Sequence, residues 1–229
     1  MAGSWITLVA VVTASLGLAA ARSRAGERPP LRRVALVFDD GPVPKDAEPL
    51  LALLAKEHVS ATFSLVGDRV TEHPAMARSV AAAGHEIVNH SQTHSHPKDL
   101  ADPALEHEVA DAQHAITVAT GRPPRWFWPP FLEVDPRLEA AVARGGLALY
   151  SPRHLVVSKD YDTTVPADAI RRNALADVRD GTVILFHEWR EETRQQLPAI
   201  LAELRRQGFV FLTFSALYES LVASDTPRP

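Results

Sequence analysis

The chain has 229 residues, a formal net charge of −4, 46% hydrophobic residues and no cysteine. It has no excess of basic residues to displace counterions from a nucleic acid, which argues against nucleic acid as its main partner. The lack of cysteine excludes disulfides and thiolate metal sites, so any metal must be held by histidine and carboxylate side chains.

The N-terminal segment is apolar and uncharged over residues 5–21 and ends in Ala19, Ala20 and Ala21, an A-x-A-like cleavage site. This pattern predicts a signal peptide over residues 1–21. The run also has about the minimum length of a membrane span, so an uncleaved N-terminal anchor is the alternative, and cleavage is preferred. Both interpretations predict a secreted, periplasmic or cell-envelope protein. The charged, proline-containing residues 22–32 are predicted to be a linker.

Beyond residue 32, short apolar strands alternate with helical patterns, and Gly or Pro punctuates many of the boundaries. Such alternation indicates βα units around a parallel sheet, either open or closed into a barrel. We expect one domain over residues 33–220 and a C-terminal tail over 221–229. In chain order the predicted elements are strand 33–38, helix 49–58, strand 61–66, helix 74–83, strand 86–89, helix 105–120, strand and loop 125–131, helix 138–143, strand 147–157 with a break at Pro152, helix 167–179, strand 182–187, helix 197–207 and strand 209–214.

Two aspartates end the first predicted strand. Asp39 and Asp40 precede Gly41 and Pro42, which mark a turn. Adjacent strand residues point to opposite sides of a sheet, but a glycine turn lets both carboxylates reach one pocket. In a parallel sheet such residues lie at the carboxyl ends of the strands, where functional groups collect. Taken alone, Asp-Asp-Gly-Pro more often forms a plain β-turn.

Three histidines follow the third predicted strand. His90 and His94 are the one histidine pair of the chain with i, i+4 spacing. On a helical turn both imidazoles lie on one face and can share a cation, and a nearby aspartate would complete the ligand set of a catalytic metal. Among ten histidines such a pair also arises by chance in a solvated loop. His96 is predicted to be a surface residue.

One more histidine, His187, ends an otherwise apolar strand. One interpretation is a structural histidine at the rim of the core with its hydrogen bonds made inside the protein. The other is a proton donor for a leaving nitrogen, since histidine titrates near neutral pH.

Five motifs together resemble the polysaccharide deacetylase family, also called the NodB-homology domain or carbohydrate esterase family 4. The resemblance covers residue 33 to about residue 214. It implies a distorted (β/α) barrel and a metal-dependent hydrolase that removes acetyl groups, N-acetyl above all, from a carbohydrate and releases acetate. The motifs are VFDDGP at 37–42, ATFSLVG at 61–67, GHEIVNHSQTH at 84–94, FWPPF at 127–131 and VILFH at 183–187.

The resemblance also implies a role for each matching polar residue. Asp39 matches the catalytic base and His187 the general acid. Asp40, His90 and His94 match the metal ligands. The expected cofactor is a divalent metal, with zinc the first choice and cobalt, nickel or manganese also compatible with these ligands. The expected partner is an acetylated glycan, and the sequence leaves open which glycan and which oligomeric state.

Three further residues are expected to contact substrate or the oxyanion. Phe131 stands where the family has a tyrosine whose backbone N–H helps to bind the oxyanion. Leu185 is expected to line the pocket for the acetyl methyl group, and Trp128 is grouped with them.

Trp128 also departs from the family's pattern, because the family has an arginine there that orients the base, and Leu132 stands where the family has glycine. Tryptophan cannot form a bidentate pair with a carboxylate. We therefore expect another cationic side chain to hold Asp39 in place. The candidates are Arg125, Arg137 and Arg153. The alternative is that no cation orients the base and that its position is less constrained.

The family's fourth motif, which supports the acid histidine, is only partly present. Asp160 and Asp162 lie in that region, and either one supports His187 or both belong to a polar loop. These departures leave open a related hydrolase of a small amide or imide, a catalytically silent carbohydrate-binding protein, and a structural protein of the envelope. Retention of all five core groups favours an enzyme, since a silent protein has no use for His187 or Asp39. The five are Asp39, Asp40, His90, His94 and His187.

Overall fold

A ten-residue strand, Arg32–Gly41, lies at the centre of the fold. In the computed structural model, residues 31–225 are described. The predicted signal peptide or anchor at 1–21 and nearly all of the predicted linker lie outside them. Within the described residues, no helix combines the length and apolar character needed to cross a bilayer.

Eight strands, all paired in parallel, form one curved sheet. They are β1 Arg32–Gly41, β2 Thr62–Leu65, β3 Glu86–Asn89, β4 Trp126–Phe127, β5 Ala148–Leu149, β6 His154–Val157, β7 Thr182–His187 and β8 Phe209–Leu212. The order across the sheet is β5-β4-β3-β2-β1-β7-β6, and β8 pairs with β1. The two ends of this order are β5 and β6, so the described sheet is an open barrel, which agrees with the predicted distorted (β/α) barrel.

The helices lie between these strands. They are α1 Pro44–Lys56, α2 Gly67–Glu72, α3 Pro74–Ala82, α4 Asp102–Thr120, α5 Pro136–Arg144, α6 Ala167–Leu175, α7 Glu191–Arg206 and α8 Phe214–Asp225. Proline stands in the first turn of several of them, where its missing N–H costs no hydrogen bond. Gly121 ends α4 in the left-handed conformation, as the sequence predicts.

Two helices were not predicted. α2 has only six residues, too few for a helical period to show in the sequence. α8 begins inside the predicted strand 209–214, because its start is fixed by distant groups: Thr62 accepts from the N–H of Phe214, and Glu86 accepts from the N–H of Ser215. α8 then continues to Asp225, past the domain end expected at residue 220.

The core explains why β1 is nearly continuous in apolar residues. Its residues 34–38 are fully buried, as expected for a parallel strand that is covered on both faces. On one face Phe38 packs against Phe63 and Phe186, below the helices. On the other face Val37 belongs to a second cluster with Trp128. The sheet is therefore a rigid base for the groups that follow its strands.

Candidate active site

Three side chains from two strand ends face one another at the carboxyl edge of the sheet. Oδ1 of Asp40 lies 3.1 Å from Nε2 of His94 and 3.5 Å from Nε2 of His90. One ligand atom from each residue lies within 4.8 Å of the others. Oδ1 of Asp40 is buried and makes no hydrogen bond of regular geometry. Two imidazole nitrogens and a carboxylate oxygen at this spacing suit a divalent cation.

The backbone of Asp40 turns its carboxylate toward the histidines. Asp40 has φ +70°, in the left-handed region, which directs its side chain and that of Asp39 into one pocket. The expectation that Gly41 would relax the strand rule is thus corrected, since the change falls on Asp40 itself. The Arg69 guanidinium donates a short hydrogen bond to the Asp40 carbonyl and holds this conformation.

The histidine pair does not lie on a helical turn, which corrects the geometry expected from its spacing. His90 and His94 belong to a loop in which Ser91 and His94 have φ +65° and +61°. The loop nevertheless brings the two ring centroids to 4.9 Å. Nδ1 of His90 lies 2.7 Å from the carbonyl oxygen of Trp128. A carbonyl can only accept, so Nδ1 donates this hydrogen bond and Nε2 is the ring nitrogen that faces Asp40 and His94.

Charge in this cluster favours an ionised Asp40. Burial opposes ionisation, but the adjacent imidazoles of His90 and His94 outweigh it and hold the pKa of Asp40 below its usual value. A carboxylate that stays ionised is a ligand for a cation at any pH near neutrality.

Asp39 lies beside this cluster and is held by a tryptophan. Its Oδ2 accepts a hydrogen bond of 2.7 Å from Nε1 of Trp128 and lies 3.8 Å from Nε2 of His90. Burial raises the pKa of Asp39 from 3.8 to about 6, which the positive charges of His90 and His187 partly oppose. A carboxylate with this pKa can accept a proton near neutral pH.

The expectation that an arginine replaces the missing base-orienting cation is wrong. Arg125 pairs with Glu219 and Arg137 with Asp135, both at 2.8 Å. Arg153 is exposed. Trp128 itself holds Asp39, through an indole N–H that is a neutral hydrogen-bond donor.

Trp128 is also not the substrate contact that was expected. Its side chain is only 1% exposed and lies behind Asp39, where it packs against Tyr150. Its effect on substrate is therefore indirect, through Asp39.

His187 faces the same pocket from β7 and is supported by one of the two candidate aspartates. Nδ1 of His187 lies 2.8 Å from Oδ1 of Asp160. The other oxygen of Asp160 accepts from the His187 N–H and from Thr193. Burial lowers the pKa of His187, but Asp160 and the charge of Asp39 outweigh it and raise the pKa to about 9. Asp162 instead accepts from Thr164.

These groups line a pocket of about 480 Å³, which is large enough for a sugar-sized ligand. Leu185 is 4% exposed and forms part of its wall, while Phe131 is 49% exposed at its rim. The apolar part of the lining is made by Phe131, Leu132, Val157, Tyr161, Leu185 and Trp189.

The rim is backed by His96, which was expected to be a plain surface residue. Its ring stacks on that of Phe131, with centroids 3.5 Å apart and 9° between the planes. Nδ1 of His96 also lies 3.2 Å from Glu133. Phe131 and Leu132 both have φ +58°, a strained conformation for non-glycine residues that the surrounding contacts must hold.

One contact in the site had no counterpart in the sequence analysis. Nε1 of Trp189 donates a hydrogen bond of 2.9 Å to Oδ2 of Asp40. Trp189 lies two residues after His187, and this proximity to a motif was the one signal that could have singled it out.

Comparison with known proteins places the chain in the polysaccharide deacetylase family. The sequence model of a family described as polysaccharide deacetylase matches residues 26–150. The chitooligosaccharide deacetylase of Bradyrhizobium sp. (strain ANU 289) is 32% identical over 216 aligned positions, which cover 86% of this chain and 96% of that protein.

A second group of relatives is longer. The peptidoglycan-N-acetylglucosamine deacetylase of Listeria monocytogenes is 27% identical over 187 positions, which cover 82% of this chain. The chain spans 39% of the length of that protein.

Solved structures show the same fold. The family 4 carbohydrate esterase from Streptomyces lividans, solved in complex with acetate, superposes with a TM-score of 0.73 and 31% identity, covering 79% of this chain and 91% of that chain. The predicted family resemblance and fold class are confirmed.

Proposed function

Because the chain belongs to the polysaccharide deacetylase family, we propose that it is a metal-dependent hydrolase that removes N-acetyl groups from an extracellular or cell-envelope carbohydrate and releases acetate. The observation that carries this proposal is that Asp39 and His187 line the same pocket as the Asp40, His90 and His94 cluster. A base, an acid and a three-ligand set open into one pocket.

Asp40, His90 and His94 are the residues that would hold the cation, and zinc is the first choice for two nitrogens and one oxygen. When bound, the cation supplies a Lewis acid that polarises the acetyl carbonyl and lowers the pKa of a water.

The chain's own groups then move the protons. Asp39 accepts a proton from the attacking water, because its carboxylate is ionised near neutral pH and is held in place by Trp128. His187 gives a proton from Nε2 to the departing amine, since Asp160 binds Nδ1 and favours the protonated ring. The N-acetyl bond is broken, and the products are acetate and a free amine.

The apolar wall of the pocket provides a binding surface for the acetyl group. Leu185 and Val157 line the same pocket as His187 and offer an apolar surface against which an acetyl methyl group can pack. Phe131 presents an exposed ring at the rim, against which a sugar ring can pack. We assign the oxyanion contact to the backbone N–H of Phe131.

The location of the enzyme follows from the same proposal. A glycan of the envelope is reached only by a protein that is exported, either released by cleavage after residue 21 or anchored by residues 5–21. The mass of the exported protein distinguishes the two, since cleavage removes the first 21 residues.

The test is acetate release from a panel of acetylated glycans, with and without a chelator. The panel contains N-acetylglucosamine oligomers, peptidoglycan and acetylated xylan. We expect acetate from at least one of them, loss of release with the chelator and recovery with added zinc. Binding of a glycan without acetate release, in protein that contains its metal, would establish a silent binding protein instead.

A further inference from the structure

The two neighbouring carboxylates of the site are each bound by an indole N–H. Trp128 donates to Asp39 and Trp189 donates to Asp40, at 2.7 and 2.9 Å. Indole is a neutral donor with no acceptor, so it satisfies one carboxylate oxygen without adding a positive charge that would compete with a cation. The mechanism above gives Trp128 a role and leaves Trp189 unused.

The hydrogen bond from Trp189 gives the two carboxylate oxygens of Asp40 different partners. Oδ2 is occupied by the indole N–H, and Oδ1 faces Nε2 of His90 and of His94. A carboxylate can bind a cation through one oxygen or through both, and the number decides how many positions are left for water and substrate. The indole N–H occupies one lone pair of Oδ2 and turns that oxygen toward Trp189, which leaves Oδ1 as the oxygen that faces the histidines.

Asp40 and Trp189 are both fixed from outside the cluster. Arg69 binds the Asp40 carbonyl and so holds its left-handed backbone. Next to Trp189, the buried Glu188 donates its backbone N–H to the Asp39 carbonyl at 3.0 Å and accepts from the N–H of Val43 at 2.7 Å. The indole is therefore presented by an anchored segment, as a group that orients a metal ligand needs to be.

We propose that Trp189 is a positioning residue that makes Asp40 a one-oxygen metal ligand. This inference rests on the metal site of the proposed function. It assigns to Trp189 a contribution to metal affinity and to coordination number, separate from any contact with substrate.

The experiment compares Trp189→Phe with Trp126→Phe. Trp126 is the matched control, because its indole also donates a hydrogen bond of 2.8 Å, but to Ser215. Zinc dissociation constants are measured by competition with a chelator, without substrate. We expect Trp189→Phe to weaken zinc binding roughly 10- to 100-fold, as loss of such an outer contact does, and Trp126→Phe to stay within about twofold of the original protein.

A spectroscopic measurement distinguishes a change in the orientation of the Asp40 carboxylate from a general loosening of the metal site. In the cobalt-substituted protein, the visible absorption of Trp189→Phe is expected to weaken, because a freed second oxygen of Asp40 raises the coordination number. If Trp189→Phe fails to fold, benzothienylalanine at position 189 keeps the shape of the indole and removes the N–H.

The outcomes are distinct for the two proposals. Equal zinc affinity and an unchanged cobalt spectrum in folded Trp189→Phe would overturn the role of Trp189. Tight zinc binding by the original protein without acetate release from any glycan would overturn the proposed function and leave the Trp189 comparison valid. Failure of the original protein to bind zinc, cobalt, nickel or manganese would overturn both.

Discussion

Asp39 and His187 are direct register partners on the adjacent parallel strands β1 and β7. Partners in adjacent parallel strands project their side chains to the same face of a sheet, and their backbones are about 4.8 Å apart. Both side chains line the same pocket. The separation between the proposed base and the proposed acid is therefore fixed by main-chain hydrogen bonds of the sheet rather than by a loop.

Asp39→Asn is expected to remove the base and to retain the metal, because Asp39 is not one of the three converging ligands. Acetate release should fall by about 10²- to 10⁴-fold, the usual contribution of a general base. Activity and metal content are measured on the same preparation. A variant that has lost its metal would show that Asp39 is a ligand instead.

His90→Ala and His94→Ala are each expected to remove the cation and the activity together, because each removes one of three ligands. Metal content after dialysis and acetate release are the measurements. Full activity in a metal-free preparation of either variant would end the metal-hydrolase interpretation.

Trp128→Phe is expected to shift the acidic limb of the pH–rate profile upward by about 1 unit. The indole N–H stabilises the ionised form of Asp39 and so lowers its pKa. Removal of that donor raises the pKa, and a higher pH is then needed to ionise the base. A bound cation lowers the pKa in both proteins, so the difference between the two profiles is the quantity to compare. An unmoved limb would exclude the contact as a determinant of the base.

Asp160→Asn is expected to shift the alkaline limb downward by about 1–2 units. Against the lowering effect of burial, Asp160 and the charge of Asp39 raise the pKa of His187 to about 9, and loss of the Asp160 charge lets the ring lose its proton at a lower pH. Asp162→Asn is the matched control, because Asp162 accepts from Thr164 instead. Equal shifts in both variants would remove Asp160 from the role of supporting the acid.

His96→Ala is expected to raise KM for a glycan severalfold with little change in kcat, because it removes the ring that backs Phe131 at the rim. His96→Phe keeps the stacked ring and should restore KM. A KM that stays raised in His96→Phe would assign the effect to the contact with Glu133 instead.

The sequence was sufficient to predict the helices and strands with strong hydrophobic periodicity and the polar residues at the strand ends. β3 and β7 have the predicted bounds, and the motif residues Asp40, His90 and His94 do converge. The route to convergence was not predictable, because it depends on positive φ values at Asp40 and His94, which are non-glycine residues. Such conformations are imposed by tertiary contacts, such as the one from Arg69.

Contacts between distant parts of the chain also could not be predicted from sequence patterns. Trp128 departs from its family's arginine, and the substitution gives no sign that an indole N–H would serve the same carboxylate. The choice between Asp160 and Asp162 likewise depends on which of two nearby side chains faces His187, and spacing alone does not decide that.

β1 draws its neighbours from both halves of the chain. β2 follows it closely in sequence, whereas β7 and β8 come from the last third. A fragment ending at residue 150, where the match to the family's sequence model stops, would keep all three candidate ligands but would leave residues 34–39 without their β7 partners. A long, apolar, unpaired strand edge promotes aggregation. The half of the chain that carries the candidate metal ligands is therefore not expected to be a separable module, because β1 needs β7 against it to cover its apolar edge.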